Sequence, residues 1–248
     1  MRSSPAADAR DGAELQARYY TEIAAAYDAM HVHEDDGHAV AMRFMSALID
    51  TLQIESLLDV GCGTGRALRH FRGEHPDLCV RGVEPIPALI AQAIGPNGIP
   101  AGHVACARGQ SLPYGDDAFD AVCEFGILHH VADPNAVVRE MLRVARRAVF
   151  LSDSNRFGQG SWLGRRAKLV LHRTGLWPVA NYLKTRGRGY SVSPGDGLAY
   201  SYSVFDSYAL LSAWADRVVL IPVSAISDAS VHHPLLTAAQ VLACAWRE

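Results

Sequence analysis

Three glycines alternate with other residues in the run Leu57–Arg66 (LLDVGCGTGR), directly after the acidic residue Asp59. The apolar residues before Asp59 predict a buried strand, and the residues after the glycines predict a helix. Glycine lets the backbone approach a ligand closely, and free N–H groups at a helix start bind polar or anionic groups. The dinucleotide pattern GxGxxG would need a glycine in place of Arg66, so this loop matches that pattern incompletely.

A second acidic residue, Glu84, ends the next apolar run, about 20 residues beyond the glycine loop. At that distance in a Rossmann-like sheet, a carboxylate accepts hydrogen bonds from both hydroxyls of a ribose. The spacing therefore predicts a ribose contact at Glu84, with Pro85 and Ile86 lining the adjacent base.

A third segment, Ala107–Val131 (ARGQSLPYGDDAFDAVCEFGILHHV), contains LPY, FDAV and LHH, and the helical run REMLRVARR follows it. With these motifs in this order, the chain resembles the class I S-adenosylmethionine-dependent methyltransferases that act on small molecules, whose motifs include DxGxGxG and LHH. The resemblance covers about residues 19–153. It implies S-adenosylmethionine as the cofactor and S-adenosylhomocysteine as its product.

One position departs from the family pattern. Members often have an aspartate that binds the adenine amino group where this chain has Arg108, and a guanidinium cannot accept a hydrogen bond. We therefore expect the adenine contact to come from backbone groups of Arg108 and Gly109, helped by Gln110. The cofactor contacts that the motifs and the resemblance predict are Tyr20, Tyr27, Asp59, Gly61, Cys62, Gly63, Glu84, Pro85, Ile86, Arg108, Gly109, Gln110, Glu124 and Phe125.

Tyr20 and Tyr27 belong to a predicted helix over residues 11–29, which resembles the helix that closes over the cofactor in related enzymes. Their spacing of seven residues puts both rings on one helix face. Either they cover the methionine part of the cofactor, or they form an aromatic stripe that packs on the core.

His129 and His130 are the candidate catalytic residues. They follow the fourth predicted strand, at the rim where the transferred methyl group should point. Methyl transfer needs an aligned nucleophile and in some cases a base, and histidine titrates near neutral pH. A packing or helix-start role for the pair is the alternative.

A polar stretch over residues 31–38 holds three histidines beside three acids. These residue types can bind metals, but their spacing matches no established motif, so no metal is expected. Because the stretch precedes a helix that should cap the pocket, His33 and His38 are predicted substrate contacts. His232 and His233, in a late loop, are expected at the surface.

Residues 154–203 interrupt the regular alternation with a Gly-rich, aromatic and basic insertion. From Ser154 to Gly195 there are eight basic residues and no acid, whereas the rest of the chain has a net charge of −11. Such insertions are usually functional. The alternatives are a lid over an anionic substrate, a nucleic-acid contact, a membrane-surface contact through Trp162, Leu163 and Leu169–Leu171, and a merely solvated amphipathic helix.

We favour the lid, because the acidic remainder argues against wrapping nucleic acid. Within it, Lys184–Gly197 is the segment expected to touch substrate, since its glycines permit motion and its arginines could clamp an anion. The predicted substrate contacts there are Arg186, Arg188, Tyr190 and Tyr200.

Strands alternate with helices along the chain, which predicts a doubly wound α/β fold with a seven-stranded mixed sheet. We expect a single domain over 1–248. Its parts are an N-terminal helical cap (1–52), a cofactor-binding core (53–153), the basic lid (154–203), and a C-terminal helix with two strands (204–248).

The 248 residues include five cysteines without a CxxC pair, and no run predicts a signal peptide or a membrane span. A reducing, cytoplasmic location is expected. The predicted function is methyl transfer to an O or N of a small metabolite, anionic or linked to a carrier or nucleotide, in specialised or sugar biosynthesis. Alternatives are an inactive cofactor-binding partner protein, an RNA-directed methyltransferase and aminopropyl transfer, the last disfavoured by the basic lid.

Overall fold

The protein is described by a computed structural model that covers residues 5–225 and 233–248. Its centre is a seven-stranded sheet with the order β3-β2-β1-β4-β5-β9-β8. The strands of this sheet are β1 (Ser56–Val60), β2 (Cys79–Glu84), β3 (Val104–Cys106), β4 (Phe119–Phe125), β5 (Ala145–Ser154), β8 (Arg217–Ala225) and β9 (Ala238–Trp246). Pairing is parallel from β3 to β5 and antiparallel for β5–β9 and β8–β9, so the sheet is mixed, as predicted.

Helices cover both faces of this sheet. The α-helices are α1 (Pro5–Ile23), α2 (Tyr27–His31), α3 (Gly37–Thr51), α4 (Arg66–Glu74), α5 (Pro87–Ile94), α6 (Pro134–Val144), α7 (Trp162–Arg173), α8 (Trp177–Lys184) and α9 (Tyr208–Trp214). One core cluster joins α3 and α4 to the sheet, around Met45 and Phe71. The other joins α6 and α9 to the opposite face, around Met141 and Leu211. Because both faces are covered, the central strands β1 and β4 are rich in buried apolar residues, and their acidic residues, such as Asp59 and Glu124, are buried as well.

Polar caps begin several of these helices. The carboxylate of Asp36 accepts from the backbone N–H of Ala39 (2.8 Å) at the start of α3, and Asp133 accepts from Ala136 (3.1 Å) at the start of α6. Such caps satisfy N–H groups that have no partner within the helix.

The N-terminal helix differs from its prediction in one respect. A turn of 3₁₀ helix at Ala24–Ala26 separates α1 from α2, where the sequence predicts an unbroken helix. Three consecutive alanines favour a helix, but they have no large side chain that would select an α-helix over a 3₁₀ helix. Packing of this turn against α5 selects the 3₁₀ helix.

The basic insertion forms two helices, α7 and α8, and a separate hairpin of β6 (Tyr190–Ser193) and β7 (Gly197–Tyr200). The hairpin contacts α1 and the LHH turn, so it lies over the C-terminal ends of the parallel strands. Of the late histidine pair, His233 is exposed, and His232 lies outside the described residues.

The order of strands reverses between β1 and β4, whose C-terminal ends flank a crevice. Open α/β sheets bind ligands at such a reversal point. No helix within residues 5–225 and 233–248 combines the length and the apolar character needed to cross a bilayer.

Candidate functional site

Two adjoining cavities open at the C-terminal ends of β1, β2 and β4, with volumes of about 440 Å³ and about 140 Å³. They are continuous in their lining, because seven residues belong to both: Tyr20, Tyr27, Gly61, Gly63, Phe125, Gly126 and His130. The larger cavity extends along Glu84–Ile86 and Arg108–Gln110, and the smaller one extends to His129 and Asp196. An elongated ligand with two chemically different halves fits this shape.

The glycine loop between β1 and α4 forms the floor of both cavities. Gly61 has φ +75°, and a Cβ atom there would lie 2.4 Å from Cγ2 of Ile127. Gly63 has φ +53°, and its Cβ position points across open space to the hydroxyl of Tyr27, 3.8 Å away. A side chain at Gly63 would therefore occupy the space between the loop and the N-terminal helices, where a ligand must lie.

Glu84 presents a buried carboxylate to the larger cavity. Its Oε2 accepts from the N–H of Gly63 (3.0 Å) and its Oε1 from the N–H of Ile86 (2.9 Å). Each oxygen keeps a further lone pair, so the group can accept from two hydroxyls of a ligand. Burial raises the pKa of Glu84 to about 7, although these two hydrogen bonds act in the opposite direction.

Asp59 lies beside Glu84 beneath the glycine loop. Burial, followed by the charge of Glu84, raises the pKa of Asp59 to about 7. Asp59 lines the smaller cavity and Glu84 the larger one, and two neighbouring buried carboxyl groups disfavour each other's ionised form. A cation or a set of hydrogen-bond donors entering the cavity would relieve this repulsion.

The N-terminal helices form the roof of the site. The rings of Tyr20 and Tyr27 lie 5.8 Å apart, edge to face, and both line both cavities. Asp28 ties this roof to the glycine loop, accepting from the Thr64 hydroxyl and from Asn97 (2.9 Å).

Arg66, the residue that interrupts the dinucleotide pattern, has a structural partner. Its guanidinium binds both carboxylate oxygens of Asp36, at 2.7 and 2.9 Å, and donates to the carbonyl of His33. A bidentate ion pair of this kind fixes the relative orientation of the two side chains and also neutralises their charges. Arg66 thus holds the polar loop after α2 against the start of α4.

His129 is held between two carboxylates. Its Nδ1 donates to Oδ1 of the fully buried Asp153 (2.7 Å), and its Nε2 lies 3.5 Å from Oδ2 of Asp196. Burial alone would lower the pKa of His129, but these carboxylates outweigh burial and raise it to about 10. His129 is therefore a positively charged group at neutral pH.

His130 has a different hydrogen-bonding arrangement. Its Nδ1 lies 2.6 Å from the carbonyl oxygen of Leu198 and 3.0 Å from Nε2 of Gln16. In the tautomer with a proton on Nδ1, this nitrogen donates to the carbonyl, which can only accept, and Nε2 can accept a proton. Its Nε2 lies 3.0 Å from the hydroxyl of Tyr20 and 3.5 Å from Oδ1 of Asp196. Burial raises the pKa of Tyr20 well above its usual value, so that hydroxyl stays protonated and can donate to Nε2.

One ring nitrogen each of His129 and His130 and a carboxylate oxygen of Asp196 lie within 4.8 Å of one another, a spacing that a divalent ion could bridge. The ion pairs of both histidines with Asp196 account for this grouping without an ion. In the described part of the chain, the histidines and acids of residues 31–38 form no comparable group.

His38 and His31 complete the wall of the smaller cavity. Burial lowers the pKa of His38 to about 4, so this ring is neutral, and it contacts the hydroxyl of Ser152 (3.2 Å). His31 stacks against Tyr27 with ring centres 4.7 Å apart, and its buried Nε2 has no hydrogen-bond partner. That nitrogen is available to a ligand.

Most predicted site residues line the two cavities, and five do not. Glu124 is fully buried below the cavities, where its Oε2 accepts from the N–H of Ile127 (3.1 Å). The side chain of His33 is exposed outside them. Arg186, Arg188 and Tyr190 also lie outside both cavities. The two arginines lie between α8 and β6, before the hairpin, and the hairpin turn contributes Asp196 to the smaller cavity.

The structure adds residues that the sequence did not single out: Gln16, His31, Asp153 and Asp196. Asp196 falls within the predicted Lys184–Gly197 segment, and as the first acid after eight basic residues it could have been noticed. Gln16 gives no such signal. Its Oε1 accepts from the N–H of Leu198 (2.6 Å), a contact across 182 positions.

Residues 58–151 match the family described as "Methyltransferase domain". An uncharacterized methyltransferase of Mycobacterium leprae is 31% identical over 183 residues, covering 67% of this chain and 66% of the relative. A second relative, from Mycobacterium avium, is 31% identical over 157 residues, covering 59% of this chain and 60% of its own. The chain thus spans slightly less than two thirds of the length of these relatives.

Solved structures share the fold at low sequence identity. The 1,6-didemethyltoxoflavin-N1-methyltransferase of Burkholderia thailandensis, with its substrate and S-adenosylhomocysteine bound, is 16% identical with a TM-score of 0.59; the match covers 100% of this chain and 92% of that one. The magnesium protoporphyrin IX methyltransferase of Synechocystis PCC 6803 is 14% identical with a TM-score of 0.58, covering 96% and 100%.

Proposed function

The chain carries a methyltransferase domain of the class I, S-adenosylmethionine-dependent family, and from this premise we propose that it transfers a methyl group to an O or N of a small metabolite. The observation that carries the proposal is Glu84, a buried carboxylate with unused lone pairs facing a 440 Å³ cavity that adjoins the histidine-lined cavity. A ribose diol supplies the two donors that such a carboxylate needs.

The chain's residues fit this cofactor along the whole crevice. Glu84 would accept from the ribose hydroxyls, Ile86 would pack on the adenine, and backbone groups at Arg108–Gln110 would meet its polar edge. The loop at Gly61–Gly63 and the two tyrosines would enclose the remainder. Bound S-adenosylmethionine supplies a methyl group activated on a sulfonium sulfur.

In the proposed reaction, the residues of the smaller cavity orient the acceptor and manage its proton. The acceptor's O or N forms a bond to the methyl carbon, while the carbon–sulfur bond breaks and its electron pair stays on sulfur. His130 takes the acceptor's proton at Nε2, in exchange for the hydrogen bond from Tyr20. His129, already charged, stabilises negative charge on the acceptor.

We propose that only the reacting end of the acceptor enters the smaller cavity. Its 140 Å³ suits a few heavy atoms, and the charged side chain that the hairpin contributes there is Asp196. Any anionic, nucleotide-linked or carrier-linked part would remain outside, beside the basic insertion. We also propose action in the cytoplasm, a reducing compartment, which the five free cysteines support.

The test is turnover together with cofactor binding. Purified protein is incubated with methyl-labelled S-adenosylmethionine and fractions of a metabolite extract, and formation of S-adenosylhomocysteine is measured. His130→Ala should lower kcat by about 100-fold, as loss of a general base does, while S-adenosylhomocysteine affinity stays within about threefold. His33→Ala, at an exposed site outside both cavities, is the matched control and should change neither quantity.

Two results would contradict the proposal. If the protein binds S-adenosylhomocysteine but no fraction supports turnover, it is a cofactor-binding protein without catalysis. If His130→Ala retains full kcat on an active fraction, His130 is not the base.

A further inference from the structure

The two helices of the insertion expose an unusual amount of apolar surface. Seven of the twelve large apolar side chains that are exposed among the described residues lie between Trp162 and Leu183. Leu163 is 71% exposed and Leu183 is 72% exposed. Neither α7 nor α8 has a single buried residue. Exposed apolar patches of this kind mark interaction sites more often than they mark neutral surface.

The exposed positions follow the helical repeat. On α7 they include Trp162, Leu163, Arg166, Val170 and Arg173, which share one face at spacings of three and four residues. On α8 the exposed residues Val179, Tyr182 and Leu183 do the same, with Lys184 at the end of the helix. We call these two outward faces the docking surface.

The docking surface combines this apolar character with positive charge. No acidic residue occurs between Ser154 and Gly195, although the chain as a whole has net charge −3. Arg166 lies over the ring of Trp162, 3.9 Å from its centre, and neither Arg173 nor Lys184 forms an ion pair among the described residues. These charges are free to meet anions outside the protein.

The inner side of α7 is anchored by polar and aromatic contacts. Arg165 donates to the carbonyl of Leu236 (3.0 Å), and Lys168 donates to the carbonyls of Arg156 and Gln159 (the latter at 2.7 Å). The ring of His172 packs on Phe157 with centres 5.2 Å apart. The inner side of α7 is thus anchored to neighbouring backbone and to Phe157. Among residues 5–225 and 233–248, no element covers the outward apolar faces of α7 and α8.

We propose that this surface docks on an anionic lipid membrane, with Trp162, Leu163 and Leu183 entering the headgroup region and the basic residues meeting lipid phosphates. On α7, Trp162 and Leu163 share an exposed face with Arg166 and Arg173, so apolar and basic side chains can reach the same membrane surface together. Positive side chains near the surface add attraction to anionic lipid.

Two other occupants fit less well. A second copy of the chain would bring two identical basic surfaces together in a symmetric contact, where like charges oppose association. A nucleic acid would use basic and aromatic residues, but it gives no role to exposed Leu163, Val170 and Leu183, since aliphatic side chains do not stack on bases.

The inference deepens the proposed function and rests on it for one point, the substrate class. The insertion that supplies the docking surface also supplies the hairpin whose Asp196 lines the smaller cavity. The carrier of the acceptor would then be a lipid, presented by the bilayer, with its polar end reaching the histidine-lined cavity. The docking itself can be measured without substrate or turnover.

The experiment is co-sedimentation of the full chain with vesicles of phosphatidylcholine alone, or of phosphatidylcholine with about one third phosphatidylglycerol. We expect binding to the anionic vesicles, little binding to the neutral ones, and weakening by salt because the attraction is partly electrostatic. The double variant Leu163→Ser with Leu183→Ser should reduce binding at least tenfold, and so should Arg173→Gln with Lys184→Gln.

Matched controls use exposed residues elsewhere. Phe44→Ser removes an apolar side chain that is 45% exposed on α3, and Arg139→Gln removes an exposed basic residue on α6; both should bind vesicles as the unmodified protein does. Binding of S-adenosylhomocysteine, measured in every variant, shows that the fold and the cofactor site are intact.

Three outcomes overturn the inference. The first is no binding to anionic vesicles, and the second is equal binding by the docking-surface variants and the controls. The third is a protein that does not bind vesicles but forms a dimer, which the double variant Leu163→Ser with Leu183→Ser converts to monomer. If vesicle binding fails while a mixed-sequence RNA binds through the same basic residues, the surface is a nucleic-acid contact. In each case S-adenosylhomocysteine binding and turnover decide the proposed function separately.

Discussion

Glu84 combines a buried position with a pKa near neutrality, and this couples ligand binding to protons. In the cofactor-free protein, burial raises its pKa to about 7, so a large fraction of the carboxyl groups are neutral below pH 7. Ribose hydroxyls donate to the ionised form and therefore favour it. Binding should then release a proton whenever the carboxyl group starts protonated.

From this we predict that affinity for S-adenosylhomocysteine rises from pH 6 to pH 8 by up to about tenfold, the limit for one group with a pKa near 7. Calorimetry in two buffers of different ionisation enthalpy measures the released proton directly. Glu84→Gln keeps the shape but cannot ionise, so its affinity should be about tenfold weaker at pH 8 and independent of pH. Equal affinities of the unmodified protein at pH 6 and pH 8 would contradict this assignment.

His129 should titrate far from its usual range. Its raised pKa of about 10 depends on the carboxylates of Asp153 and Asp196. The sign follows from linkage: a raised histidine pKa adds stability that is complete below pH 6.5 and is lost as the pH rises through 10.

We therefore predict that NMR of the His129 ring shows a charged imidazolium at pH 8. Asp196→Asn, which removes a half-exposed carboxylate, should lower the pKa of His129 while Asp153 still holds the ring. A neutral His129 ring at pH 8 in the unmodified protein would show that the two carboxylates do not control it.

The predicted site residues at or near the ends of β1 and β2 line the two cavities. Gly61 directly follows β1, Gly63 comes two residues later, and Glu84 ends β2. Parallel strands bring such ends together at one edge of the sheet. Asp153 and Asp196 were not predicted as site residues, because their role depends on their contact with His129, which is distant from both in the sequence. The same reason applies to Arg186 and Arg188, whose charge is visible in the sequence but whose direction depends on the hairpin.

At the scale of elements, the hairpin of β6 and β7 closes the site through contacts with α1. Tyr19 donates to the carbonyl of Pro194 (3.0 Å), and Gln16 accepts from Leu198 (2.6 Å). Between them, Gly197 has φ +64°, and a Cβ atom there would lie 2.7 Å from both Oε1 of Gln16 and Cδ1 of Tyr19. This glycine lets the hairpin approach α1.

Gly197→Ala should loosen the hairpin, at a cost of about 1 kcal/mol or more, because alanine at positive φ is strained and its methyl group meets α1. We expect faster tryptic cleavage after Arg186 and Arg188 and a higher KM for the acceptor. Gly195→Ala is the matched control, since its Cβ would meet nothing within 4 Å. Equal cleavage rates for the two variants would show that the hairpin does not depend on this approach.

The elements themselves were predictable to different degrees. The alternation of apolar runs and helical repeats was enough to predict the central parallel strands and α6. The late apolar runs were enough to predict β8 and β9. The turn of 3₁₀ helix at Ala24–Ala26 and the fold of the insertion were not predicted. In both places the chain's path depends on distant partners, such as α5 for the alanines and α1 for the hairpin.

At the scale of the whole molecule, a ligand that binds only the folded chain should raise its stability. S-adenosylhomocysteine at 100 times its Kd would add about 2.7 kcal/mol, which for a chain of this size raises Tm by roughly 5 to 10 °C. We expect this increase in Tm in a thermal melt, and a smaller increase for Glu84→Gln at the same ligand concentration. NAD should not change Tm, because the chain matches the glycine pattern of NAD-binding loops incompletely. A shift with NAD as large as that with S-adenosylhomocysteine would argue for a dinucleotide site.

The attachment of the roof at Asp28 has a kinetic consequence. The tyrosine-bearing helices cover the crevice, and Thr64, Asn97 and Arg69 all hold Asp28 in place. If the cofactor binds in this crevice as proposed, release of its product requires the roof to move, and the bonds at Asp28 oppose that motion. We therefore expect that weakening this attachment shortens the residence time of the product.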